Sequence, residues 1–110
     1  MFVAGRRLKD HVVLDVRGPR VDAAVVPEFQ RSATTVIGDA RKVVLDLTRV
    51  SFVDSSGLGA LVALRKLVGP EGRFAIVGVQ PSVSTLLRLT RLDKVFVAFA
   101  TIDDAVAAAG

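Results

Sequence analysis

Val43-Val44-Leu45-Asp46-Leu47-Thr48-Arg49-Val50-Ser51-Phe52-Val53-Asp54-Ser55-Ser56-Gly57-Leu58-Gly59 runs from an apolar block into a cluster of acid, hydroxyl and glycine. The block Val43–Leu47 is short, β-branched and almost unbroken, which predicts a strand buried on both faces. After the cluster, apolar residues at helical spacing predict a helix from about Ser56 to Val68, stopping at Gly69-Pro70. One carboxylate and two hydroxyls therefore crowd the turn where a buried strand hands over to a helix. A helix start carries unpaired N–H groups and a partial positive charge. Two readings of the turn are open: Ser55 or Ser56 caps the helix, or Ser55 is modified by phosphate, an anion that such a terminus accommodates.

Upstream, His11 to Arg17 alternates, with Val12, Leu14 and Val16 on one side and Val13, Asp15 and Arg17 on the other, as in a half-buried strand. Gly18-Pro19-Arg20 predicts a turn. Val26, Phe29, Ala33, Val36 and Ile37 then share one helical face, with Pro27 in the first turn and Gly38-Asp39 closing the helix. Downstream, Arg73 to Gly78 predicts a buried strand. Pro81 opens a third helix bearing Val83, Leu86, Leu87 and Thr90, and Val95 to Phe99 is the last strand. Thr101-Ile102-Asp103-Asp104 resembles a capping box for a final helix whose apolar face is Ile102, Ala105, Val106 and Ala109. An extra strand at Phe2–Gly5 fits at the beginning. Strands alternating with helices imply right-handed crossovers. The expected fold is a single α/β domain over residues 1–110: a mixed, largely parallel sheet of four to five strands with about four helices.

Composition narrows the function. With 110 residues, 51% of them hydrophobic, the chain suits one domain with a real core. No cysteine and one histidine, His11, argue against a thiolate or multi-histidine metal site. Met1-Phe2-Val3-Ala4 is too short for a signal peptide and no run approaches a membrane span, so a cytoplasmic protein with no membrane partner is expected. The net charge of +4 comes as scattered pairs such as Arg6-Arg7, Arg41-Lys42 and Arg65-Lys66, and there is no Tyr or Trp to stack on bases. That pattern suits a solvated face or an acidic protein partner better than direct binding of nucleic acid.

No catalytic set emerges. Asp46 ends a strand as a phosphorylatable aspartate would, but the first strand ends in Arg17-Gly18 without an acid pair, and the residue two beyond Asp46 is Thr48. A carboxylate bonded to neighbouring backbone is the plain account of it. Gly57-Leu58-Gly59 lacks the third glycine of a dinucleotide loop, since position 62 is Val, and no Gly-Lys-Ser/Thr follows. Ser55 and Ser56 lack the flanks of a hydrolase nucleophile. His11, beside Asp10, is expected at the surface. An enzyme is not expected, nor a cofactor.

The stretch Val43–Leu47 with Val50–Gly59 closely resembles the central signature of the STAS domain, and within it of the bacterial anti-sigma factor antagonists. Gly18-Pro19-Arg20-Val21-Asp22-Ala23 with Pro27-Glu28-Phe29 resembles that family's first loop and helix start. Leu89-Thr90-Arg91-Leu92-Asp93-Lys94-Val95-Phe96 is similar to its segment before the last strand. The resemblance implies that Ser55 is phosphorylated by an anti-sigma factor that is also a serine kinase. It also implies that the unphosphorylated form binds this kinase and releases its sigma factor, and that a serine phosphatase acting on Ser55 resets the switch. Asp22, Asp54, Ser56, Gly57, Leu58, Gly59 and Val62 are the implied partner-binding residues. The same family also supplies scaffold and regulatory subunits of transporters and stress-signalling complexes, the alternative role. Val25-Val26-Pro27, the Gly69-Pro70-Glu71-Gly72 connection and the basic balance depart from the family pattern.

Overall fold

The computed structural model describes residues 2–108. In chain order it contains β1 (Val3–Leu8), β2 (His11–Val16), β3 (Arg20–Val21), α1 (Val26–Ile37), β4 (Lys42–Asp46), β5 (Phe52–Val53), α2 (Ser55–Val68), β6 (Arg73–Val77), α3 (Pro81–Leu89), a 3-10 turn at Leu92–Lys94, β7 (Val97–Phe99) and α4 (Ile102–Ala108). The main sheet has the order β1-β2-β4-β6-β7; β1 is antiparallel to β2 and the other pairs are parallel. The α/β class, the helix count and the mixed five-stranded sheet agree with the expectation from sequence.

Two cores explain which residues are apolar. On one face of the sheet, Val12, Leu14, Val16, Val43, Leu45, Phe74 and Ile76 pack against Phe29, Ala33 and Ile37 of α1, the buried stripe of α2 and Val83 and Leu87 of α3. On the other, Val13, Val44, Ala75 and Val77 meet Ala105 of α4, with Ile102 and Val106 alongside. Each fully buried Val, Leu or Phe contributes about 1.5–3 kcal/mol of transfer free energy. The alternating β2 segment is therefore covered on both faces rather than half-buried, because Val13 is buried in the second core beside Val44. Ala109, expected on the α4 face, lies outside the described residues.

Local chemistry sets the boundaries. Pro27 stands in the first turn of α1, where its missing N–H has no cost, and Gly38 ends the helix at φ 55°. Thr101 Oγ1 accepts from Asp104 N–H at 3.0 Å, the expected cap of α4. The first strand is longer than expected. It reaches Leu8 and turns through Lys9 at φ 57° into β2, so Arg6 and Arg7 lie exposed along an edge strand, where charge discourages further pairing. The last strand is shorter, starting at Val97 rather than Val95. Val95 N–H and Phe96 N–H both bond to Leu92 C=O, which commits them to the 3-10 turn, and Phe96 packs on Phe74 with ring centroids 5.9 Å apart. His11 is a second correction: it is buried, 3% exposed, with Nδ1 3.0 Å from an Asp10 carboxylate oxygen.

A separate two-stranded sheet was not foreseen. Arg20-Val21 pairs in parallel with Phe52-Val53, where a turn and a loop were expected. Ser51 N–H and Phe52 N–H both bond to Pro19 C=O, at 2.8 and 3.2 Å. This small sheet carries the segment that delivers Asp54 and Ser55.

Candidate functional site

The helix after β5 is capped by Asp54, not by a serine. Asp54 takes extended backbone geometry, and its Oδ1 accepts from Gly57 N–H at 2.8 Å while Oδ2 accepts from Ala23 N–H at 3.0 Å. One carboxylate thus closes the first turn of α2 and ties that turn to the loop after β3. This corrects the capping alternative for Ser55 and Ser56. Both serines occupy the first two helical positions, both are exposed, and neither hydroxyl makes a hydrogen bond among the described residues.

The donors around Asp54 hold its carboxyl below the ordinary aspartate range. The Gly57 N–H is the main cause, opposed by desolvation and helped by the N–H groups of Ala23 and Ser56. The folded state therefore prefers the ionised form. Its contribution to stability is complete above the unfolded value of about 3.9 and disappears as pH falls through the lower folded value. Asp54→Ala is expected to lower the urea midpoint at pH 7, and the gap between variant and parent should close as pH is taken from 4 toward 2. A gap that stays constant to pH 2 would trace the loss to something other than this carboxylate.

The remaining implied site residues divide into two groups. Gly57 and Leu58 are buried, and Val62 is half-buried against the core. Gly57 and Leu58 therefore support the turn from beneath in the free chain. A Cβ on Gly57 would lie 2.1 Å from Val21 O, so the close approach of β3 to α2 requires glycine there. Gly59 is exposed, and a Cβ there would meet nothing within 4 Å. Together with Ser55, Ser56 and Ala63 it forms a smooth exposed face on the first two turns of α2. Asp22 lies beside this region with its side chain 17% exposed, and its Oδ2 accepts from Arg20 Nε at 3.0 Å.

Asp46 behaves as the plain account required. Its Oδ1 accepts from Thr48 N–H at 3.0 Å and from the Thr48 hydroxyl, within the turn after β4. Gln80 Nε2 donates to Thr48 C=O at 2.8 Å and Ser82 Oγ to Ser51 C=O at 2.9 Å, which braces the stretch leading to Asp54 from α3. A cavity of about 290 Å³ lined in part by His11, Val43 and Phe74 lies at the strand starts, at the opposite end of the sheet from Ser55.

Fold and site together define a small α/β domain that presents a free serine on a capped helix start. The STAS domain family model matches residues 4–105, and the chain belongs to the STAS family. It is 29% identical over 90 residues to the anti-sigma-F factor antagonist RsfB of Mycobacterium tuberculosis, covering 81% of this chain and 74% of that protein. Among solved structures, an anti-sigma factor antagonist from Mycobacterium paratuberculosis is 29% identical with a TM-score of 0.87, covering 96% of this chain and 91% of that one. A STAS domain protein from Planctomyces limnophilus shares the fold, with a TM-score of 0.89 at 24% identity over 98% of this chain and 97% of that one. No helix among the described residues is long and apolar enough to cross a membrane.

Proposed function

We propose that this chain is an anti-sigma factor antagonist whose affinity for an anti-sigma serine kinase is switched off by phosphorylation of Ser55. Unphosphorylated, it binds the kinase and the sigma factor held there goes free; the kinase ends the interaction by phosphorylating Ser55, and a serine phosphatase restores it. The observation that carries this reading is the cap. Because Asp54 satisfies the helix start, the Ser55 hydroxyl is left exposed and unbonded at the first helical position. Similarity to antagonists of anti-sigma factors supports the partner class.

The chemistry of the turn fits a surface switch rather than a folding switch. Phosphate adds about −1.5 to −2 charges at pH 7. The helix terminus accommodates an anion, while the adjacent Asp54 carboxylate opposes it, so the effect on the fold is small. At a buried contact with no compensating cation, the same dianion is strongly unfavourable. The exposed Gly59, whose own chain sets no steric demand for glycine, fits a partner backbone that approaches α2 closely.

Phosphosite mapping tests the assignment. After incubation with the anti-sigma serine kinase and ATP, phosphate is expected at Ser55, and Ser55→Ala should accept none. Phosphate found at Ser56 in the parent chain would sink the assignment of the switch residue.

A further inference from the structure

Next to the switch, the small β3–β5 sheet carries an exposed pair of side chains, Arg20 and Phe52. Phe52 is 41% exposed although large and apolar. Arg20 lies over its ring, with the guanidinium carbon 4.3 Å from the centroid. On its other side, Arg20 Nε donates to Asp22 Oδ2 at 3.0 Å. Asp22 sits low, 17% exposed, while the Arg20 side chain is 56% exposed. The acid therefore lies beneath and the cation faces solvent.

This arrangement leaves a preset fork. Nε is committed to Asp22 and the guanidinium carbon lies over the Phe52 ring, yet the two Nη groups make no hydrogen bond among the described residues. An arginine held by stacking and an ion pair loses little freedom when it takes a new contact, and its outward Nη pair matches a carboxylate. Exposed aromatic–arginine pairs also have the composition that dominates binding at protein interfaces. Phe52 is two residues from Asp54 and three from Ser55, on backbone fixed by the paired register Arg20–Phe52 and by Pro19 C=O.

Building on the switch reading above, we propose that the Arg20–Phe52 pair is the specificity-determining anchor of the partner surface, and that the kinase meets it with an Asp or Glu side chain set in apolar surroundings. Asp22 is then a positioning residue that acts through Arg20. The neighbouring cations are as exposed but lie over no aromatic ring among the described residues: Arg17 Nε pairs with Asp15 at 3.2 Å, and Arg49 lies 4.0 Å from the same carboxylate. Arg20 differs from both in being stacked, with its counterion beneath it.

The test is equilibrium binding of the unphosphorylated chain to the purified anti-sigma serine kinase that phosphorylates it. Arg20→Glu is expected to weaken the complex about 30-fold or more, measured at a temperature where parent and variant are both folded. Arg20→Lys keeps the charge but loses fork and stack, and should fall between parent and Arg20→Glu. Added salt should weaken the parent complex and, by screening the like charges that now face each other, strengthen the Arg20→Glu complex slightly. One acid-to-lysine reversal on the kinase should recover binding to Arg20→Glu. If Arg20→Glu melts well below the parent, Arg20→Gln serves as the binding variant, with the loss then expected to be about 10-fold. Parent-like affinity of a folded Arg20 variant, with Ser55→Glu still blocking the complex, overturns the anchor and leaves the switch intact. Binding that ignores Ser55→Glu overturns the switch reading itself, and the anchor with it.

Discussion

Alanine at position 57 is expected to destabilise the protein by about 3 kcal/mol, the upper end of ordinary overpacking costs, lowering the melting temperature on the order of 15 °C. The added methyl has nowhere to go: it would stand 2.1 Å from Val21 O and 2.8 Å from Val53 Cγ1. A backbone oxygen does not yield as a side-chain terminus does, so β3 must move away from α2. That movement strains the Asp54 carboxylate, which holds Gly57 N–H and Ala23 N–H at once. Gly59→Ala provides the opposite result from the same motif. Its methyl meets nothing within 4 Å, and exchanging glycine for alanine inside a helix contributes up to about 1 kcal/mol of stability. Thermal denaturation of the two variants should therefore move in opposite directions. If both destabilise equally, the close approach of β3 is not what fixes glycine at position 57.

The second large effect is on binding. Ser55→Glu is expected to weaken the complex with the kinase by roughly 100-fold, equivalent to about 2.7 kcal/mol, while Ser55→Ala binds like the parent. The exposed hydroxyl has no internal partner to lose, so alanine removes nothing the fold uses. A carboxylate placed beside Asp54 raises the local negative charge on a surface that must be desolvated on contact. Both variants should melt within a few degrees of the parent, because the exposed Ser55 hydroxyl makes no hydrogen bond among the described residues and a carboxylate in the first helical turn is favoured by the helix dipole. A Ser55→Glu chain that unfolds instead would mean that the turn is a structural device and not a switch.

The elements with strong periodicity were legible in the sequence: α1, α2, β4 and β6 fall within a residue or two of where the apolar pattern puts them. The short elements were not. β3 and β5 have two residues each, too few for any alternation, and they exist because Pro19 C=O and the Arg20–Phe52 register hold them together across more than thirty residues of chain. The apolar run Val95 to Phe99 predicts a strand two residues longer than β7; the N–H groups of Val95 and Phe96 are drawn into the Leu92 turn instead. At the site, the acid and the serines were legible but their division of labour was not. Aspartate and serine are comparable caps, and only the second acceptor contact, Ala23 N–H on Asp54 Oδ2, shows why the acid takes the role. The Arg20–Phe52 stack depends on that same unforeseen strand pairing, and a cation and an aromatic thirty-two positions apart leave no local pattern.

The central claim is that phosphate on Ser55 controls partner affinity, and calorimetric titration of the anti-sigma serine kinase with the chain before and after stoichiometric phosphorylation measures it. The expected result is a dissociation constant about 100-fold higher for the phosphorylated chain, with its melting temperature nearly unchanged. Equal affinity of the two forms would contradict the account.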